Sequence, residues 1–155
     1  MDMDSKDWDI LRLLQKDGRA TAADIAERVH LSASSVSRRI ARLEDEKVIT
    51  GYTAQVDQQK VGYELTVMVE ISLDSQSDEA FTAFEAAVAK VSAVHSCFLM
   101  SGEMDYLLRV VARNIEDFER IHRRVLASLP HVDRMHSAFT LRQVVAHAEF
   151  RRGSN

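Results

Sequence analysis

Two groups of side chains in this 155-residue chain have types and spacing suited to chemistry. The first is Ser34, Ser35, Ser37, Arg38, Arg39 and Arg42. Serine hydroxyls donate and accept hydrogen bonds, and guanidinium forks match guanine edges and phosphate oxygens. The second is the run Ser101-Gly102-Glu103-Met104-Asp105. A glycine turn brings backbone N–H groups close to a bound anion, and a carboxylate beside it accepts from a cation. The same five residues also suit a plain hairpin, with Gly102 at positive φ and Asp105 bonding the turn backbone.

The first group needs a helix to hold it. Thr21 followed by Asp24 is the start of a capping box, and Ile25, Ala26 and Val29 then share one face. His30-Leu31 makes a turn, and Ser32 caps a second helix. Val36, Ile40 and Leu43 recur at helical spacing and point inward. Ser34, Arg38, Ala41 and Arg42 then face outward, with Ser35, Ser37 and Arg39 at the boundary. Two short helices with a tight turn form a helix-turn-helix, whose second helix enters the major groove of DNA. Ser34, Ser35, Ser37 and Arg38 are expected near base edges, and Arg39 and Arg42 near phosphates. An earlier helix from Ser5 to Asp17, ended by Gly18, completes a three-helix unit, with Trp8 expected as its core anchor. Residues 48–57 are β-rich and read as a short strand or wing.

The second half changes period. Leu65, Val67, Val69, Ile71 and Leu73 alternate with polar residues, which predicts a half-buried strand over 64–74. A helix opening at Ser77-Asp78, strands over 94–101 and 105–112, a helix from Asn114 stopped by Pro130, and a strand over 132–145 follow. The order β-α-β-β-α-β is ferredoxin-like, with both helices on one face of an antiparallel sheet. Met68, Leu99, Leu107 and Val111 are candidates for the uncovered face, where a second subunit would pack. The fold class is therefore α+β. The expected division is a DNA-binding domain over 1–57, a linker over 58–63, a ferredoxin-like domain over 64–145 and a tail over 146–155.

Composition narrows the function classes. The net charge of −4 gives no broad basic footprint, so non-specific DNA affinity should be modest and oligomerisation should help. The lone Cys97 cannot form an internal disulfide, and neither a signal-peptide pattern nor a long apolar run is evident. A cytoplasmic protein without membrane association is expected. No P-loop, dinucleotide motif or nucleophile–base pair stands out. His95, Cys97, His131, His136 and His147 show no metal-ligand spacing, so neither a metal nor a cofactor is expected.

Several segments together resemble the Lrp/AsnC family of leucine- and asparagine-responsive regulators. They include Asp9-Ile10-Leu11, Asp17-Gly18-Arg19, Leu31-Ser32, Arg42-Leu43-Glu44, Ile49-Thr50-Gly51-Tyr52 and Asp105-Tyr106-Leu107-Leu108-Arg109-Val110. The resemblance implies an N-terminal winged helix-turn-helix and a C-terminal sensing domain. It also implies double-stranded DNA and an amino-acid effector as partners, and homodimers assembling into tetramers, octamers or larger rings. An effector site between subunits is implied at Ser101, Gly102, Glu103, Met104 and Asp105, with Ser137 and Thr140 added from the last strand. Lys47 stands where family members often carry glycine. Siroheme decarboxylases of similar fold suggest an enzyme as the alternative, with Arg109, Arg113, His122, Arg123 and Arg124 available to a tetrapyrrole. The Ser/Arg helix favours DNA.

Overall fold

The computed structural model describes residues 2–146 and 148–152, so His147 and the last three positions lie outside the described residues. The described residues divide into two compact units: positions up to Gln55 together with those from Val145 onward, and Val56–Val144.

The first unit contains α1 (Ser5–Lys16), α2 (Ala22–Val29) and α3 (Ala33–Asp45). Each begins on a residue able to satisfy free helix N–H groups. Asp4 and Asp7 form a capping box on α1, Thr21 and Asp24 form one on α2, and Ser32 accepts from the Ser35 N–H on α3. His30 closes α2 at φ 55°. Ile10, Ile25, Ala26, Val29, Val36 and Leu43 make the core. Trp8 is not its anchor. The inward stripe of α1 runs through Asp7 and Ile10, which turns Trp8 about 100° away and leaves it partly exposed.

The end of α3 shows why Lys47 matters. The Val48 and Ile49 N–H groups both return to the Leu43 carbonyl, and Lys47, just before them, sits at φ 58°. This left-handed stop favours glycine. Residues 50–56, read from sequence as strand or wing, form no strand ladder in this chain. The Tyr52 phenol instead donates to Glu44 at 2.8 Å. Burial, then Glu44, pushes the Tyr52 pKa up to about 12, so the donor stays protonated. Beyond Val145, the tail joins this unit through Gln15. The Gln15 Oε1 accepts from the Phe150 N–H at 2.8 Å, and its Nε2 donates to the Phe150 carbonyl at 3.1 Å.

The second unit contains β1 (Leu65–Leu73), α4 (Asp78–Val88), β2 (Val94–Leu99), β3 (Tyr106–Ala112), α5 (Ile115–Arg124), a 3-10 turn (Leu126–Ser128) and β4 (Val132–Phe139). The sheet is antiparallel in the order β2-β3-β1-β4. Val67, Val69, Ile71, Tyr106, Leu108 and Val110 pack with Phe84, Phe118 and Ile121 of the helices in one core. The register places Met68 opposite Arg109 and Glu70 opposite Leu107, on the face that core leaves free.

Three expectations need correction. β4 stops at Phe139, six residues before the expected limit of 145, because its partner β1 begins at Leu65 and the last paired positions are Val67 and Phe139. Leu99 pairs with core residue Tyr106, so it shares the helix-side face at the sheet edge, and Phe98 takes the free face opposite Leu107. Val111 is buried, not exposed.

Glycine at position 47 should relieve the left-handed strain. Lys47→Gly is expected to stabilise the chain by about 0.5–1 kcal/mol, seen as a higher midpoint in urea unfolding.

Candidate nucleic-acid interface and ligand hairpin

The outward face of α3 divides its cations into two kinds. Ser34, Ser37 and Arg38 are exposed. Ser34 lies 3.1 Å from the Ser32 hydroxyl, and Arg38 makes no hydrogen bond or ion pair among the described residues. Ser35 is half-buried, its N–H spent on the cap. Arg39 and Arg42 instead reach back to α1. Arg39 Nη1 donates to Asp7 Oδ1 at 2.7 Å and to Asp4 Oδ2 at 2.8 Å. Arg42 Nη2 donates to Asp7 Oδ2 at 2.6 Å.

The Asp7 side chain is fully buried, and the Asp4 N–H adds a third donor at 3.1 Å. A carboxylate out of water is tolerated only when its lone pairs are filled this way. Arg39 and Arg42, expected at phosphates, therefore hold α3 against α1 through Asp7. The hydrogen bonds that Arg39 donates to Asp7 and then Asp4 raise its pKa. The Asp7 backbone N–H and then Arg39 lower that of Asp4. Lys6 adds a tie from α1 to the Val29 carbonyl at the end of α2, at 2.6 Å.

Asp7 escaped the reading of candidate residues. The available signal was an acid on the apolar stripe that Ile10 continues, where a charge implies a partner.

In the second unit, Ser101, Gly102 and Glu103 are exposed at the β2–β3 hairpin, with Gly102 at φ 147°. Met104 is half-buried, its sulfur accepting from the Ser72 hydroxyl at 3.4 Å. Asp105 is buried, and its carboxylate is already engaged. Oδ2 accepts from the Leu73 N–H at 2.7 Å, and Oδ1 from Gln76 Nε2 at 3.1 Å. It anchors the hairpin to the end of β1, with one hydrogen bond on each oxygen. Tyr106 donates to Glu85 at 2.8 Å, and burial with that bond drives its pKa upward.

Ser137 and Thr140 do not join the hairpin within one subunit. Asp105 bonds Ile71 of β1, whereas the Thr140 N–H bonds Thr66, about 17 Å away along the strand. Ser137 pairs with Val69, on the helix side, and its hydroxyl oxygen is buried without a partner among the described residues. Among the described residues no three His, Cys, Asp or Glu side chains cluster as a metal site, and no helix is long and apolar enough to cross a membrane.

Comparison with known proteins agrees with both halves. Residues 3–50 match a winged helix-turn-helix DNA-binding model, and residues 66–150 match the Lrp/AsnC ligand binding domain. The leucine-responsive regulatory protein of Rhizobium meliloti is 38% identical over 93% of this chain and 92% of its own length. The Bkd operon transcriptional regulator of Pseudomonas aeruginosa is 36% identical over 93% of this chain and 94% of its own. The crystal structure of a Neisseria meningitidis transcriptional regulator in complex with L-methionine superposes with a TM-score of 0.91 at 32% identity, covering 96% of both chains.

Three outcomes follow from the carboxylates. Asp7→Asn removes the counter-charge of Arg42 and leaves Arg39 only Asp4, and is expected to cost about 3 kcal/mol in urea unfolding. Asp4 has a lowered pKa, so its contribution is complete above the unfolded value and fades as pH falls through the folded one. Asp105→Ala strands the Leu73 N–H and should cost about 1–3 kcal/mol of stability with no ligand present.

Proposed function

We propose that this chain, which belongs to the Lrp/AsnC family of transcriptional regulators, reads operator DNA with the exposed face of α3 and responds to an amino acid at the β2–β3 hairpin. The observation that carries the first part is the division of labour on α3. Arg39 and Arg42 are bound to Asp7 and fix the helix, while Arg38 stands exposed beside Ser34 and Ser37. Ser34, Ser37 and Arg38 are the base-reading residues, and Ser35 supports the helix start. Arg39 and Arg42 are positioning residues whose remaining N–H groups face the phosphates. The two structural units serve as reading and sensing domains.

A dimer is the working form. Helices cover one face of the sheet, and the other carries Phe98, Leu107 and Met68. A second copy would pack there face to face. The dimer reads a pseudo-palindromic site with two α3 helices, one in each of two successive major grooves. Larger assemblies of such dimers would bend the DNA between sites.

The effector reading rests on the hairpin. Gly102 opens the turn backbone to a ligand carboxylate, and exposed Glu103 supplies the acceptor that an ammonium group needs. Asp105 holds the loop in place. Ser137 and Thr140 join such a site only from another subunit. The amino acid acts by binding one assembly better than another, since only differential affinity moves such an equilibrium. The methionine bound by the Neisseria meningitidis regulator makes L-methionine the first effector to try.

Arg38→Ala should weaken operator binding by ten- to a hundredfold in fluorescence anisotropy, with an unchanged unfolding midpoint. An unchanged affinity would remove α3 from the interface. In a thermal-shift screen of the amino acids, Glu103→Gln should abolish the response to whichever one stabilises the wild-type chain. A response retained in that variant would remove the hairpin from the site.

A further inference from the structure

A second cleft, of about 400 Å³, opens at the other end of the sheet from the hairpin. Its walls come from the turn after α4, the end of β3 and the outer side of α5, with Tyr63 completing the lining. The size falls within the range of small-molecule sites.

The cleft's chemistry is one-sided. Lys90, Arg113 and Arg120 line it with a single carboxylate, Asp117. That carboxylate is already committed, accepting from the Arg113 N–H at 3.1 Å and from Arg120 Nη2 at 2.6 Å. The Lys90 and Arg113 side chains are exposed and have no hydrogen-bond or ion-pair partner among the described residues. In the same turn, the Ser92 and Ala93 N–H groups donate to no acceptor among the described residues. Buried Val111 and Ile121 and half-buried Val125 supply apolar surface.

Lys90, an Arg113 guanidinium shared only at a distance with Asp117, two amides in the lining turn and an apolar floor fit an oxyanion on a compact apolar body. They disfavour a zwitterion, because three cations surround the one carboxylate, and each of its oxygens already accepts a hydrogen bond. We propose that this cleft binds a small organic anion without an ammonium group, such as the 2-oxo acid that remains when an amino acid loses its nitrogen. The cleft and the hairpin would then distinguish two chemical forms of one carbon skeleton. The proposal does not depend on the effector reading of the hairpin.

The test is isothermal titration calorimetry of the full chain with 4-methyl-2-oxopentanoate, L-leucine and inorganic phosphate, each taken to about 10 mM. The oxo acid should bind the wild-type chain. It should bind the double variant Lys90→Gln/Arg113→Gln at least about tenfold more weakly, since charge-assisted contacts are lost. Both substitutions are at exposed positions, so the unfolding midpoint of the double variant should not move. Glu103→Gln should leave oxo-acid affinity unchanged, which separates this cleft from the hairpin. No binding of the oxo acid, or equal affinity in the double variant, would overturn the proposal. Phosphate binding as tightly as the oxo acid would overturn the role of the apolar floor. An L-leucine affinity that falls equally in the double variant would overturn the exclusion of ammonium.

Discussion

The buried carboxylate of Asp7 is the constraint on which the reading head depends. A charge in a core with six buried apolar side chains among the described residues has to be matched closely. Two guanidiniums from α3 and one backbone N–H from the α1 cap do this. The arrangement is directional, because each oxygen of Asp7 takes a different arginine. It therefore sets the rotation of α3 about its axis as well as its distance from α1. Ser34, Ser37 and Arg38 face outward as a consequence. The same pairing spends much of the positive charge that a DNA-binding helix usually offers to phosphates. Specific contacts then have to supply affinity that bulk charge does not.

The second unit uses the same device with a different purpose. Asp105 is buried at the hairpin base and fills its oxygens with the Leu73 N–H and the Gln76 amide. It fixes the loop that carries Gly102 and Glu103 relative to β1. In both units a buried acid holds in place the exposed residues near it. Each exposed group can then vary without disturbing the fold, whereas neither acid can.

Local chemistry was legible in the sequence. Thr21 with Asp24, Ser32, Ser77 and Asn114 all announced their helices, because a cap and its partner lie three residues apart. The alternation through β1 and the inward positions Val36, Ile40 and Leu43 of α3 could be read for the same reason. The β-α-β-β-α-β order followed from those elements. What could not be read depended on distant partners. That Arg39 and Arg42 bind Asp7, more than thirty residues earlier, does not show in the sequence. Nor does the bond that Asp105 accepts from the Leu73 N–H. Leu99 changed face because the register of β2 shifts between Val94 and Ser96, which alternation alone does not reveal. Lys47 hid a helix stop that glycine would have marked.

The most direct test of this account is a double-mutant cycle of Asp7→Asn and Arg39→Gln, read by urea unfolding. The account predicts a favourable coupling of at least about 1 kcal/mol between the two side chains. Additive single effects, with coupling near zero, would mean that α3 is oriented by apolar packing alone and that Arg39 is free for DNA.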